Sequence, residues 1–289
     1  MKISIFGATG MLGIPVTKEF INKGFEVNIL ARDANKAKTI FSNSVNIIEG
    51  NLANENDIRN TLSGSDAVYM NLSVDPQSKE KDFQPQREGF NTILKVSQEV
   101  KIKLIGHISS IVQFYEGKNG YHWWVFEQKH KNDEALKKTG IPHLIFYPSS
   151  FMENFDKGNY RQGKSISLAG RSEHKQYFIA GEDYAKMVVK AYENFDGNSK
   201  EYTIQGPEAY TTDEATRIFI NNYTKESLKS RKIPIGLIKF LGNFSSNMDY
   251  VYHIVEALNK YPESFSCQNT WDELGNPHIT LKEYAKKAE

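Results

Sequence analysis

The sequence holds one cysteine, Cys267, among 289 residues. No internal disulfide can form, so the fold must rest on a buried core, and this usage fits a reducing compartment. An excess of one charge is also missing: 36 basic against 35 acidic residues leave a formal net charge of +1, and no basic block is long enough for a nucleic-acid footprint. Long apolar runs are absent too. The N-terminal run Ile3 to Phe6 stops at Gly7, too short for a signal-peptide core, and no later stretch has the length to cross a bilayer. A cytoplasmic protein without nucleic-acid or membrane partners is the expectation. No low-complexity tract or fixed-period repeat interrupts the chain, and 39% hydrophobic with 25% charged residues is ordinary for a globular protein. No spacing of His, Cys, Asp and Glu suggests a metal site.

What the chain does contain is an alternation. Met1 to Phe6 reads as a buried strand, Met11 to Asn22 as a helix, Phe25 to Ala31 as a strand, and Ala34 to Phe41 as a helix that Asp33 can cap. Val45 to Glu49 (strand), Asn54 to Leu62 (helix), Ala67 to Leu72 (strand) and Gln84 to Val100 (helix) follow. Lys103 to Ile108 (strand), Phe126 to Lys138 (helix) and His143 to Tyr147 (strand) complete the run. Strands alternating with helices pair in parallel through right-handed crossovers, and a sheet covered on both faces explains nearly continuous apolar strands. The expected fold class is α/β: a doubly wound parallel sheet of Rossmann type with a smaller C-terminal α+β lobe. Beyond Pro148 the rhythm gives way to glycine-rich and polar stretches, with one more strand at Tyr202 to Gln205 and a helix after Thr212. Residues 1–148 with about 176–206 are assigned to nucleotide binding, and about 149–175 with 207–289 to the smaller substrate or partner lobe.

The turn after the first strand reads Gly7-Ala8-Thr9-Gly10-Met11-Leu12-Gly13. In a strand-to-helix turn the first glycine allows the tight bend, the second admits a pyrophosphate to the backbone, and the third lets helix pack on strand. Free amides and the positive dipole end of the helix then face the phosphates. At the end of the second strand, where an NAD site usually places a carboxylate, the chain reads Ala31-Arg32-Asp33. Arg32 can grip a 2′-phosphate and Lys36 can add a second charge, while Asp33 is better placed as a helix cap. NADP(H) is therefore favoured over NAD(H). The alternative leaves Arg32 and Lys36 as solvated charges and gives the ribose to Asp33. Asn71, Leu72 and Ser73 end the fourth strand and Ser109 with Ser110 the fifth, positions that line ligands in open α/β sheets.

With these residues in hand, the chain resembles the NmrA-like group of atypical short-chain dehydrogenases/reductases, including its quinone and triphenylmethane reductases. Gly50-Asn51-Leu52 is similar to the family's Gly-Asp-Leu, with Asn51 in place of the acid, and on this likeness Asn51 and Leu52 join the expected cofactor residues. Ile141-Pro142, Tyr147-Pro148 and Phe151-Met152-Glu153-Asn154 resemble further family blocks, with Tyr147 where arginine is common. So do Phe178 to Ala185 and Tyr202 to Glu208. The likeness runs from residue 1 to about 215; the stretch from Thr216 onward matches no named pattern and is where substrate identity would be written.

Many short-chain dehydrogenases carry Tyr-x-x-x-Lys on the helix between the fifth and sixth strands. That helix here, Val125 to Leu136, lacks the pair, and Tyr160 with Lys164 falls in a loop. The quinone and triphenylmethane types carry His-x-x-x-Glu instead, which His130 and Glu134 match. Four residues apart, they share a helix face, and with Ser109 they are the expected catalytic set. The alternative is a surface pair beside solvated Lys129 and Lys131. Trp123, Phe151, Met152 and Asn154 are the expected substrate contacts, the aromatic loop Tyr121 to Trp124 with Phe151 and Met152 forming an apolar wall for a flat molecule; the alternative is core packing between the lobes. His107 reads as an interior residue. Three functions follow as expectations: an NADPH-dependent reductase of a small planar acceptor, quinone-like; a non-catalytic NADP(H) sensor acting on a protein partner, which the resemblance also implies; and, weakest, a nucleotide-sugar epimerase or dehydratase.

Overall fold

The computed structural model describes residues 1–158 and 160–288; Asn159 and Glu289, both inside the expected second lobe, lie outside the described residues. The first half alternates strand and helix: β1 (Lys2–Phe6), α1 (Gly13–Asn22), β2 (Glu26–Ala31), α2 (Ala34–Phe41), β3 (Asn46–Glu49), α3 (Glu55–Leu62), β4 (Ala67–Met70), α4 (Phe90–Glu99), β5 (Leu104–Ile108), α5 (Trp124–Lys138) and β6 (His143–Pro148). The helix expected from Gln84 opens with a single π turn, Pro85–Gly89, before becoming α4.

The second half comprises β7 (Arg161–Gln162), β8 (Ser165–Ala169), β9 (Gln176–Phe178), α6 (Gly181–Glu193), β10 (Lys200–Ile204), β11 (Glu208–Tyr210) and α7 (Thr212–Asn222). It closes with β12 (Lys229–Ile233), α8 (Ile235–Gly242), α9 (Ser246–Lys260), α10 (Gln268–Leu274) and α11 (Leu281–Lys287). Helix α6 is not among the elements expected from the sequence, although its exposed Glu182, Lys186, Lys190 and Glu193 recur at helical spacing. Nor are α8 and α9, much of whose apolar surface stays only partly covered.

Seven strands form one parallel sheet in the order β3-β2-β1-β4-β5-β6-β10. Alternate residues serve opposite faces. Ile3, Ile5, Tyr69 and Phe146 join α1, α2 and α6 in one core, while Phe6, Val68, Met70 and Ile145 join α3, α4 and α5 in the other. A strand buried on both sides has no polar face to show, which is why these segments read as apolar runs. The chain order reverses between β1 and β4, so both halves of the sheet open a crevice at their carboxyl ends there. The doubly wound class expected from the sequence is what the chain adopts.

Outside this sheet, β8 pairs in parallel with β12 and antiparallel with β7, and β9 pairs antiparallel with β11. A third core gathers Met152, Phe155, Ile166, Phe178, Phe219 and Leu281 under α7 and α11. Helices α8 and α9 pack on each other as a hairpin. Among the described residues no helix is long and apolar enough to cross a membrane.

Candidate functional site

The glycine turn is set by contacts that leave no room for a side chain. Gly7 has φ +82°, and a Cβ on it would stand 2.1 Å from the Asn71 carbonyl oxygen. A Cβ on Gly13 would stand 2.0 Å from the Gly7 carbonyl oxygen, so α1 can start against β1 only with glycine there. The Gly10 amide closes the turn on Gly7 O at 3.1 Å, and Asn71 Nδ2 donates to the same oxygen at 3.4 Å. The amides of Met11 and Leu12 have no backbone acceptor among the described residues, and α1 has no side-chain cap. The turn thus presents unpaired N–H groups and a positive helix end.

A cleft of about 790 Å³ begins at Gly10, Met11 and Leu12 and runs along the carboxyl ends of the central strands past Asn71, Leu72, Ser73 and Ser109. It continues past Trp123, Phe126, Lys129, Phe151 and Asn154 to a wall of Leu237, Leu241, Val251 and Ile254 from α8 and α9. A second hollow of about 610 Å³ lies behind α9, between Tyr121 and Lys260, and shares no residue with the glycine turn.

Most expected residues gather at the main cleft, and several do not. Gly7, Thr9 and Gly13 shape the turn from behind the lining. Arg32 and Lys36 stand exposed at the end of β2 and the start of α2. Asp33 accepts the Lys36 amide at 2.9 Å, so its carboxylate is engaged as the cap of α2. Asn51 is committed to its own turn, its Oδ1 taking the Ala53 amide at 2.7 Å, and Leu52 packs against the α3–α4 core. Met152 is fully buried in the third core beside Phe155, a packing residue rather than a wall of the cleft.

Helix α5 places Lys129 on the cleft, one residue before the expected His130. Its inward stripe is Val125, Phe126, Asn132, Asp133 and Leu136, and Lys129 falls on that stripe, four residues from both Val125 and Asp133. His130 and Glu134 are each turned a further 100°. The His130 imidazole is half-buried, with Nε2 3.2 Å from the Gln113 carbonyl oxygen and its ring 6.1 Å from that of Phe114, and Glu134 is exposed. Neither lines the cleft. Lys129 does, half-buried, and loss of water around its ammonium pulls its pKa down to about 8, against the attraction of Asp133. The sequence carries only a slight signal for it, a lysine four residues from both Val125 and Asp133.

Behind Lys129 lies a buried polar network. Ser109 Oγ donates to Asp133 Oδ2 at 3.3 Å and accepts from Gln113 Nε2 at 2.8 Å, and Gln113 also donates to Asp133 at 3.0 Å. His107 Nε2 is 3.5 Å from Asp133 Oδ1. Burial keeps the His107 imidazole neutral, its pKa below the usual histidine range. Burial also opposes the Asp133 charge, but the contacts from His107 and Gln113 outweigh it and hold the carboxylate below its ordinary pKa. With its only proton given to Asp133, Ser109 retains one lone pair and can accept from a ligand but not donate to one. Trp123, 3% exposed, lies with its ring stacked on His253 at 5.5 Å, and its indole Nε1 has no partner within the protein. Among the described residues no cluster of His, Cys, Asp and Glu can hold a metal ion.

Residues 1–285 match the NmrA-like family. Photosystem II assembly factor Ycf39 of Trieres chinensis is 20% identical over 273 residues, 93% of this chain and 83% of that protein. Among solved structures, triphenylmethane reductase of Citrobacter sp., complexed with NADP(H), is similar with a TM-score of 0.76 at 15% identity over 100% of both chains. The NADPH-dependent quinone oxidoreductase QOR2 of Escherichia coli, complexed with NADPH, has a TM-score of 0.72 at 16% identity over 99% of each chain. At such identities the structural likeness is one of fold. The family match runs through the glycine turn, the seven-stranded sheet and the helices beyond it, and the chain belongs to the NmrA-like family.

Proposed function

We propose that this protein is an NADP(H)-dependent reductase of a small, planar, electron-poor acceptor of quinone type. The observation that carries the reading is the single cleft joining an unpaired phosphate-type turn to a lone lysine and an apolar wall. The residues present fit the coenzyme. The turn at Gly7, Thr9, Gly10, Met11, Leu12 and Gly13 offers amides to a pyrophosphate. Asn71, Leu72 and Ser73 would flank it. Arg32, with Asp33 engaged as a cap, is free to meet a 2′-phosphate, and Lys36 adds charge. The two similar structures carry NADP(H) and NADPH by their own descriptions.

Bound NADPH would supply the hydride. Lys129 would hold hydroxyls of the coenzyme and give a proton to the reduced acceptor, for an ammonium with a pKa near 8 is charged at neutral pH yet releases its proton readily. Ser109 would accept a hydrogen bond from an amide of the ligand. Trp123, Phe151 and Asn154 would bound the flat molecule. No tyrosine stands one turn before Lys129, where Val125 is found. An acceptor that delocalises negative charge needs no strong protein acid, which favours a quinone over an alcohol or sugar substrate.

Titration of both coenzymes, followed by a panel of quinones, dyes and enones, tests the reading. NADPH is expected to bind at least tenfold more tightly than NADH, and Arg32→Ala to abolish the difference. Tight coenzyme binding with no NADPH oxidation across the panel would favour the sensor reading, in which oxidised and reduced coenzyme must differ in affinity to shift two states.

A further inference from the structure

Helix α8 and the residue two beyond it carry an apolar stripe that faces water. Leu237 is 48% exposed, Phe240 60%, Leu241 40% and Phe244 78%. Their spacing of three, four and seven residues puts them on one helical face, and the rings of Phe240 and Phe244 meet edge to face at 5.6 Å. Such a stripe, on a helix that buries only Ile238, marks an interaction surface rather than a stray hydrophobic residue.

The charges around it select the partner. From Ser227 to Met248 the sequence holds Lys229, Arg231, Lys232 and Lys239 and no acidic residue, while at the far end of the stripe Phe244 shares a hollow with Asp75, Lys79, Glu80 and Asp249. Lys232 is paired with Asp213 at 2.8 Å and Lys239 lies over the Tyr252 ring at 5.4 Å. Lys229 and Arg231 are exposed on the edge strand that leads into α8 and take no ion-pair partner among the described residues. A second copy of this chain is the competing occupant, and the oligomeric state separates it from lipid. An apolar stripe with flanking cations matches the interface of a lipid leaflet whose headgroups are anionic.

We infer that the α8 face docks on an anionic phospholipid surface, lying in its headgroup region rather than spanning it. This departs from the expectation of no membrane partner, which rested on the lack of a spanning segment. Leu237, Ile238 and Leu241 also line the main cleft, so the docked face stands at the cleft's rim, where an apolar acceptor dissolved in the bilayer would enter. That last consequence rests on the proposed reductase reading; the docking does not.

Co-sedimentation of the full chain with vesicles tests it. Vesicles of phosphatidylcholine mixed with phosphatidylglycerol are expected to retain the protein at least tenfold better than phosphatidylcholine alone, with the difference shrinking in high salt. Phe240→Ser with Phe244→Ser should abolish retention, and Lys229→Gln or Arg231→Gln should each weaken it about fivefold. Unchanged NADPH binding and circular dichroism would show these surface variants folded. Equal retention on both vesicle types, no retention, or retention indifferent to the substitutions overturns the inference. So does a dimer that the double serine variant dissociates, without any vesicle binding. Failure of NADPH binding in the parent protein would count against the reductase reading alone.

Discussion

At the scale of single residues, Lys129 and Glu153 yield opposite pH behaviour from the same cause, loss of water. The Lys129 ammonium is present below about 8 and lost above it. A reaction that needs it should decline as pH rises through about 8, and a pH–rate profile would show the limb. Lys129→Met should lower kcat/KM for NADPH-dependent reduction roughly 100-fold, while Lys129→Arg, which stays charged, should remove the limb. Glu153, 6% exposed, accepts the Gly181 amide at 2.8 Å on Oε1 and leaves Oε2 unpartnered. Burial raises its pKa from 4.5 to about 7. The folded state therefore holds a proton more tightly than the unfolded chain, and the group's contribution to stability is lost as pH rises from about 4.5 to about 7. Its size is of the order of 3 kcal/mol. Glu153→Gln should flatten this slope and raise stability at pH 8 by roughly 1 to 3 kcal/mol, read from urea midpoints at pH 5 and pH 8.

At the scale of elements, the β1–α1 join and the register of α5 decide the cleft. Gly13→Ala places a methyl 2.0 Å from a backbone oxygen, so helix and strand must separate; a loss of about 2 to 3 kcal/mol is expected, together with weakened coenzyme binding. Gly10→Ala, with its Cβ 3.3 Å from the same oxygen, should fold more nearly as the parent does. Denaturation and coenzyme titration of the two variants would separate them. On α5, His130→Ala and Glu134→Ala should leave turnover within about twofold of the parent, because 100° of helix rotation carries both off the cleft. A large loss in either variant would restore the His-Glu pair and displace Lys129.

At the scale of the whole molecule, a ligand seated between the sheet and the α8–α9 wall binds only the folded chain. NADPH at one hundred times its dissociation constant should stabilise the protein by about 2.7 kcal/mol, seen as a rise in melting temperature larger than NADH gives at the same concentration. Arg32→Ala should equalise the two shifts. A protein indifferent to both coenzymes would remove the basis of the reductase and sensor readings together.

The sequence by itself determined the doubly wound sheet and the glycine turn, because both are local in cause. Nearly continuous apolar runs on strands covered on both faces, a period of 3.6 on the helices between them, and glycines at Gly7 and Gly13 where any Cβ would collide can all be read along the chain. Only the tertiary structure decided what the cleft contains. Which face of α5 turns inward depends on strands and a loop far away in sequence, so Lys129 rather than His130 lines the cleft. Met152 lies beside cleft residues Phe151 and Asn154 yet packs into a core built from α7 and α11. The α8–α9 wall is invisible locally, since its apolar residues line a cavity or face water instead of completing a buried stripe. Position along the chain fixes spacing; only packing from distant segments chooses which neighbours each side chain meets.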